Sequence, residues 1–523
     1  MTQLRVLKTT AAIILVAYTV LLAFGAREGF PTGLTTGSWA PYLSDQPVGE
    51  DGYYLLLAAW NLANGDGLTA NFNEVVTGIQ PLMTFLLACV AAIVQAFDGD
   101  KFDFARAMIL LGGANLLLFA YLVERVTCAA LPVTSDRQTA GAIAFIGAAM
   151  SFYLFRTFTY GLETGLYLVL VATLAWAMLR IFAGAQGVKQ PTMRQAAGMG
   201  LLTGLCGLAR IDFGLVAAIT FGLLFWRGLI GFRASLLAGA IALAITAPWF
   251  LWVRSVSGSF MPSSGPAQAT LVDLGSAWGR GETMLLAVAQ NIAAWAPLNY
   301  NKLGSLLAIL VLLVMVALAI RARRPERFWR SETAPVLAAW SAGVLVLPLV
   351  YFTFFWAAHF YARYTAPIVM VCLILTAACV AYLPERRRHM FALVAIASVA
   401  IINTWAARDT HHRGGIGDGH SVAAGYVANN LPKDARIGAF QSGVVGFYNA
   451  NVINLDGKVN VDALAAMRAK RVEEYVDAEG IDYVIDWQGV IEGLMPRAMK
   501  SGEWVRCPLP VGNKESICVM RKR

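Results

Sequence analysis

Charge is the scarcest property of this chain. Only 14% of its 523 residues are Asp, Glu, Lys or Arg, against 58% hydrophobic. The mean hydropathy of +0.60 exceeds what a soluble globular domain reaches and points to a polytopic membrane protein. The formal charge of +9 does not indicate nucleic acid, because Lys and Arg sit in short clusters between apolar runs, as in cytoplasmic loops. Cysteine is sparse too. Cys89, Cys128, Cys206, Cys372 and Cys379 lie in or beside apolar runs without metal-ligand spacing and read as small core residues. No internal repeat or low-complexity segment occurs, and no span is broken by paired Gly and Pro in matching halves, which argues against an inverted-repeat transporter. No small-residue cleavage motif follows the first apolar run, residues 9–25 behind Arg5 and Lys8. A retained first helix with a cytoplasmic N-terminus is expected.

Parity then constrains the topology. Basic clusters at Arg125 and Arg137, Lys189 and Arg194, Arg227 and Arg233, Arg321 to Arg330, and Arg386 to Arg388 are all cytoplasmic only if an even number of crossings separates them. Two apolar segments, 81–97 and 282–297, are therefore expected to dip in or lie flat. The runs near 104–123, 138–155, 163–183, 196–209, 212–229, 234–253, 302–321, 333–355, 365–382 and 390–405 complete about eleven crossings with the first. The expected division is a membrane domain over 1–405, with an outer first loop at 26–103, and a soluble α/β domain over 406–523. In a bacterial inner membrane that loop and the C-terminal domain face the periplasm.

The first loop carries the stretch EDGYYLLLAAWNLANGDGLTANFNEVVTGIQPL, residues 50–82. Adjacent carboxylates, Glu50 and Asp51, precede Tyr53, Tyr54 and an apolar run patterned as an amphipathic helix at a membrane surface. Turn residues Asn64 to Gly67, and Thr77, Gly78, Gln80 and Pro81 after them, make it a folded loop. Under this topology Arg156, Tyr160, Glu163, Arg210, Asp212, Arg254, His359, Arg363 and Tyr364 reach the same side. A charge at membrane depth is tolerated when paired or facing water, so their convergence implies a polar cavity. Two plainer readings stand beside this one: arginines at helix ends snorkel to headgroups, and Glu50, Asp51 or Glu163 could cap a helix N-terminus.

Past residue 405 a linker, DTHHRGGIGDGH, leads into alternating short apolar runs and helical patterns, the signature of a small α/β domain. His411, His412 and His420 read as solvated linker rather than a metal site, since no hydrophobic framework surrounds them. No cofactor is indicated, a divalent metal included. Cys507 and Cys518 flank a hairpin turn at Gly512 and Asn513 in an oxidising compartment and are expected to form a disulfide.

A carboxylate facing arginines across a cavity suits general-base removal of a proton from an acceptor while a phosphate leaves an anomeric carbon. Asp51 is the base candidate. Arg210, Arg254 and Arg363 are candidates for the phosphate, because the guanidinium fork donates two parallel hydrogen bonds.

EDGYYLLLAAWNL followed by TGIQPL, YGLETGLY, LARIDFG, GSFMPSSGP and HFYARYTAP, and later LDGKVN, resembles the bacterial C-type (GT-C) membrane glycosyltransferases, similar to protein O-mannosyltransferases and lipid A aminoarabinose transferases. The resemblance spans nearly the whole membrane part. It implies a polyprenyl-phosphate sugar donor and a lipid, glycan or protein acceptor. It also implies a catalytic acid in the first loop, placed at Asp51, and a second site carboxylate, Glu163. Glu50 stands where many relatives carry an aspartate. Tyr54, Gln80, Arg156, Arg210, Arg254, His359, Arg363 and Tyr364 are the substrate-binding candidates. The competing readings are a glycolipid transporter or flippase, and a membrane-anchored assembly factor acting through its α/β domain.

Overall fold

The computed structural model describes residues 2–24, 47–131, 135–182, 190–271, 277–295, 333–355, 361–381, 383–412, 419–507 and 516–522, with isolated positions between 306 and 317. The 302–321 segment thus lies largely outside the described residues. The chain is a polytopic α-helical protein with a small C-terminal sheet domain. Among the described residues, five helices are long and apolar enough to cross a membrane. They are α1 (Thr2–Phe24), α4 (Lys101–Ala130), α7 (Thr164–Phe182), α10 (Phe232–Ser257) and Ala334–Phe354. The expected span 138–155 is instead a pair, α5 (Ser135–Ala149) and α6 (Phe152–Thr159), bent by 58°. Ser151 causes the break by capping α6, its hydroxyl accepting the Leu154 N–H at 3.1 Å.

Shorter apolar helices are α3 (Pro81–Ala96), α9 (Phe213–Trp226) and Ile368–Ala381. At 16 residues α3 rises about 24 Å, short of the roughly 30 Å hydrocarbon core. It packs beside α2 (Glu50–Asn64). The segment 282–297 begins inside α12 (Ala277–Ile292).

The first-loop helix differs from its expected amphipathic form. Gly49 starts α2 and left-handed Gly65 (φ +90°) ends it, but eight successive residues, Gly52 to Ala59, are all buried. The reason is double cover: α3 packs on one side and the short helix Gly443–Tyr448 of the C-terminal domain on another.

That domain carries a five-stranded sheet in the order β2-β1-β3-β5-β4: β1 (Ile437–Ala439), β2 (Val452–Asn454), β3 (Tyr483–Trp487), β4 (Trp504–Cys507) and β5 (Ser516–Arg521). The first three pair in parallel, while β5 runs antiparallel to both β3 and β4. Alternation sorts its faces. Ile437, Ala439, Val452, Ile485 and Cys518 join one apolar cluster with Tyr53, Tyr54 and Leu56 of α2, whereas Ile453, Val484 and Val519 pack under the outer helices. The sheet domain and the first loop therefore share a core. Cys507 and Cys518 are disulfide-bonded and opposite each other in the β4–β5 register.

Two linker expectations change. His411 and His412 lie in the helix Glu385–His412 rather than in a linker. His420 starts the next helix, is buried, and stacks on Trp487 at 5.4 Å.

Candidate active site

Two glycines bring the acidic segments together. A Cβ on Gly52 would lie 2.4 Å from the Tyr160 carbonyl oxygen, and Gly161 holds φ +87° against Gly52. The Gly49 N–H also donates to the Tyr160 carbonyl at 3.0 Å. The glycines of EDG and YGLE are thus packing requirements: they let α2 meet the segment entering α7 at van der Waals distance.

Neither carboxylate at the start of α2 caps it. The N-cap is Gly49 and makes no side-chain cap bond. Glu50 turns to the C-terminal domain, where it accepts the backbone N–H of Gly443, and that of Val444 at 2.9 Å. Burial, opposed by His420 and those two N–H groups, pushes its carboxyl above the usual range. Glu50 is therefore a clamp between domains. Glu50→Ala would leave two buried N–H groups without an acceptor, and a loss of about 1–3 kcal/mol is expected. It should appear as a lower unfolding midpoint and faster proteolysis of the C-terminal domain. Glu50→Gln keeps an acceptor and should lose less. An unchanged midpoint for the alanine variant would mean that water replaces the carboxylate.

Asp51 points the other way, into a cavity of about 410 Å³ that Tyr54, Gln80, Arg210, Tyr351, Arg363, Tyr364 and Lys458 also line. Its Oδ1 accepts from the Lys458 ammonium at 3.1 Å. Burial alone would raise its carboxyl, but Lys458 and Arg363 outweigh that and hold it below the ordinary carboxylate range. Tyr54 is fixed at the domain boundary, its hydroxyl accepting the Ser442 N–H at 3.1 Å.

Glu163 and Arg210 form a second, buried group at the cavity wall. Glu163 has 0% exposure and accepts from Arg210 at 2.5 Å. Arg210 also donates to both oxygens of Asp212 at 2.8–3.2 Å, and the Tyr351 hydroxyl donates to Asp212 at 2.6 Å. Tyr364 stacks on Tyr351 at 4.6 Å and lies under the Arg210 guanidinium at 4.7 Å. The Glu163 side chain is thus an ion-pair partner rather than a cap. Two carboxylates hold Arg210, and Arg363, electrostatically linked to both Asp51 and Glu163, lines the same cavity.

The remaining candidates separate from the cavity. Arg156 is exposed on α6. Arg254 is exposed at the end of α10, where it donates to the Gly258 carbonyl at 3.1 Å and covers the Phe260 ring. Neither lines the cavity, and in both the long side chain reaches outward from a helix terminus. His359 lies outside the described residues. Sequence reasoning missed Lys458, Asp456 and Tyr351. LDGKVN contains the first two, but nothing local ties them to a loop 407 residues away. Among the described residues, no group of three or more His, Cys, Asp or Glu side chains could hold a metal ion.

This architecture has counterparts of the same fold among solved structures. The oligosaccharyltransferase of Archaeoglobus fulgidus tethered with an acceptor peptide superposes with a TM-score of 0.52 at 11% identity, over 99% of this chain and 74% of that one. Its apo form gives 0.50 at 12% identity, over 92% and 70%. The chain has the GT-C fold. ArnT from Cupriavidus metallidurans bound to undecaprenyl phosphate matches over 97% of both chains at 14% identity, with a TM-score of 0.48. A family described as a domain of unknown function, DUF8728, matches residues 406–514. No curated protein matches the sequence.

Proposed function

We propose that this GT-C protein is a bacterial inner-membrane glycosyltransferase. It takes a sugar from a polyprenyl phosphate and passes it to a lipid, glycan or protein acceptor on the periplasmic side, with Asp51 as general base. The observation carrying this reading is a carboxylate and a guanidinium, Asp51 and Arg363, facing one 410 Å³ cavity. Asp51 removes the proton from the acceptor hydroxyl or amine as the acceptor attacks the anomeric carbon. The phosphate leaves on the opposite side, stabilised by the Arg363 fork, so the anomeric configuration inverts. Gln80 and Tyr364 line the same cavity and contact the substrates. The oligosaccharyltransferase of similar fold was captured with an acceptor peptide, which supports glycosyl transfer to an acceptor.

The test is to incubate the purified full chain in liposomes with a panel of polyprenyl-phosphate sugars and extracted envelope lipids. Transfer with release of polyprenyl phosphate is expected. Movement of a glycolipid between leaflets with no donor turned over would instead support the flippase. Arg363→Lys replaces a fork with a point charge and should weaken donor binding about tenfold, as measured with a labelled polyprenyl phosphate. Unchanged affinity would reduce Arg363 to a structural role.

A further inference from the structure

The C-terminal domain reaches the cavity through one tight loop. Asn454 Oδ1 accepts the Gly457 N–H at 2.9 Å and Asp456 Oδ1 accepts the Lys458 N–H at 2.9 Å. Gly457 sits at φ +77°, and a Cβ there would meet the Leu464 backbone at 2.6 Å. The membrane domain grips the same loop: Ser263 Oγ donates to the Lys458 carbonyl at 2.8 Å, and a Cβ on Gly78 would lie 2.0 Å from that carbonyl oxygen. From this fixed backbone the Lys458 ammonium extends to Asp51 Oδ1 at 3.1 Å and Asp456 Oδ2 at 3.5 Å, over the Tyr54 ring at 5.7 Å. Both ends of the Lys458–Asp51 pair are 18% exposed.

We propose that Lys458 is a positioning residue for Asp51: the C-terminal domain inserts its ammonium into the membrane-domain cavity and fixes the Asp51 carboxylate, so the site is complete only when that domain is docked. The proposal rests on the reading of Asp51 as base. A carboxylate this enclosed would drift toward its neutral form and could rotate, because burial disfavours the charge. Lys458 counters both tendencies by binding one oxygen. Among the described residues no protein donor reaches the other, Oδ2, which stays available to an acceptor proton. Facing Asp51 are Lys458 and Asp456 from the loop after β2, Arg363 from the segment after the helix Ala334–Phe354, His420 from the helix it starts, and Glu50 and Tyr54 from α2. Lys458 leads the groups that lower the Asp51 carboxyl, and Asp51 and Asp456 hold Lys458 protonated.

Two readouts test this on the full chain in nanodiscs. The first is a stability cycle of Asp51→Asn, Lys458→Met and the double variant. Each single change takes one buried charge from its nearest partner, so the double variant should be less destabilised than the sum of the singles. A carboxylate held low contributes above its unfolded value and loses that contribution as pH falls through its folded value. The coupling should therefore persist through pH 5 and fade only below the ordinary 3.8. Additive effects at neutral pH would overturn the pairing, whether or not the protein transfers sugar. The second readout is the pH profile of transfer. Lys458→Met should move the acid limb up by about one unit, so the loss is greater at pH 4 than at pH 7, and Lys458→Arg should restore the limb. Coupling in the cycle with an unmoved limb would overturn the positioning role. Coupling in a wild-type protein that turns over no donor would leave the pairing intact and defeat the glycosyltransferase reading instead.

Discussion

Asp51→Asn is expected to lower turnover by about 10²- to 10⁴-fold, the usual contribution of a general base, while binding of the polyprenyl-phosphate donor is largely kept. Asn preserves the shape of the side chain and can still accept from Lys458 through its carbonyl oxygen, but it cannot take a proton. The competing explanation of an acidic pair at a helix start, N-capping, has no support here: Gly49 is the N-cap and Glu50 is turned to Gly443 and Val444. An effect on rate therefore cannot come through loss of a cap. The measurement is single-turnover transfer beside donor affinity and folded yield. Near-normal transfer by a folded Asp51→Asn protein would remove Asp51 from the mechanism and pass the base role to another carboxylate. A fall in donor affinity equal to the fall in rate would assign it to binding rather than proton removal.

Arg210→Met carries the largest expected effect on stability. Arg210 is enclosed between Glu163 and Asp212 and covered by Tyr364. Its removal leaves two carboxylates without their shared cation, one of them fully buried. Breaking a buried pair in this way costs about 3–5 kcal/mol, which should appear as a large drop in unfolding midpoint and in the yield of monodisperse protein. Adding Glu163→Gln to Arg210→Met removes one stranded charge and should recover part of the loss. Glu163→Gln alone should be milder, because Arg210 retains Asp212. A drop of under about 1 kcal/mol for Arg210→Met, the magnitude of a surface pair, would mean that water reaches the network and that it opens in the resting protein.

The legible parts of this molecule were those written in local pattern. Apolar runs marked the long helices, the short apolar run in IDYVIDW marked β3, and Cys507 and Cys518 marked a pairing that the β4–β5 register brings about. Local misreadings had local causes. The run at 138–155 was continuous in hydropathy, yet one capping serine bends it by 58°. The stretch after Glu50 was patterned as a surface amphipathic helix, yet it is buried where α3 and the helix Gly443–Tyr448 cover it.

The amino-acid sequence by itself determined the membrane character, the order of the segments and which polar residues were candidates, because hydropathy and turn propensity act over tens of residues at most. Tertiary structure alone decided how those residues divide their work. Glu50 and Asp51 are neighbours in the chain but point to opposite partners, one to a backbone clamp and one to a cavity, since successive side chains on a helix diverge by about 100°. Arg210, Arg254 and Arg363 look alike as arginines near helix ends; Arg254 is exposed at the end of its helix, while Arg210 and Arg363 both reach the cavity, the first held between two carboxylates and the second linked to Asp51. Lys458 became part of the site only because a shared apolar core holds the sheet domain on α2. A contact across 407 residues depends on how two surfaces fit, and that complementarity is a property of the folded chain, with no counterpart in the local pattern around either residue.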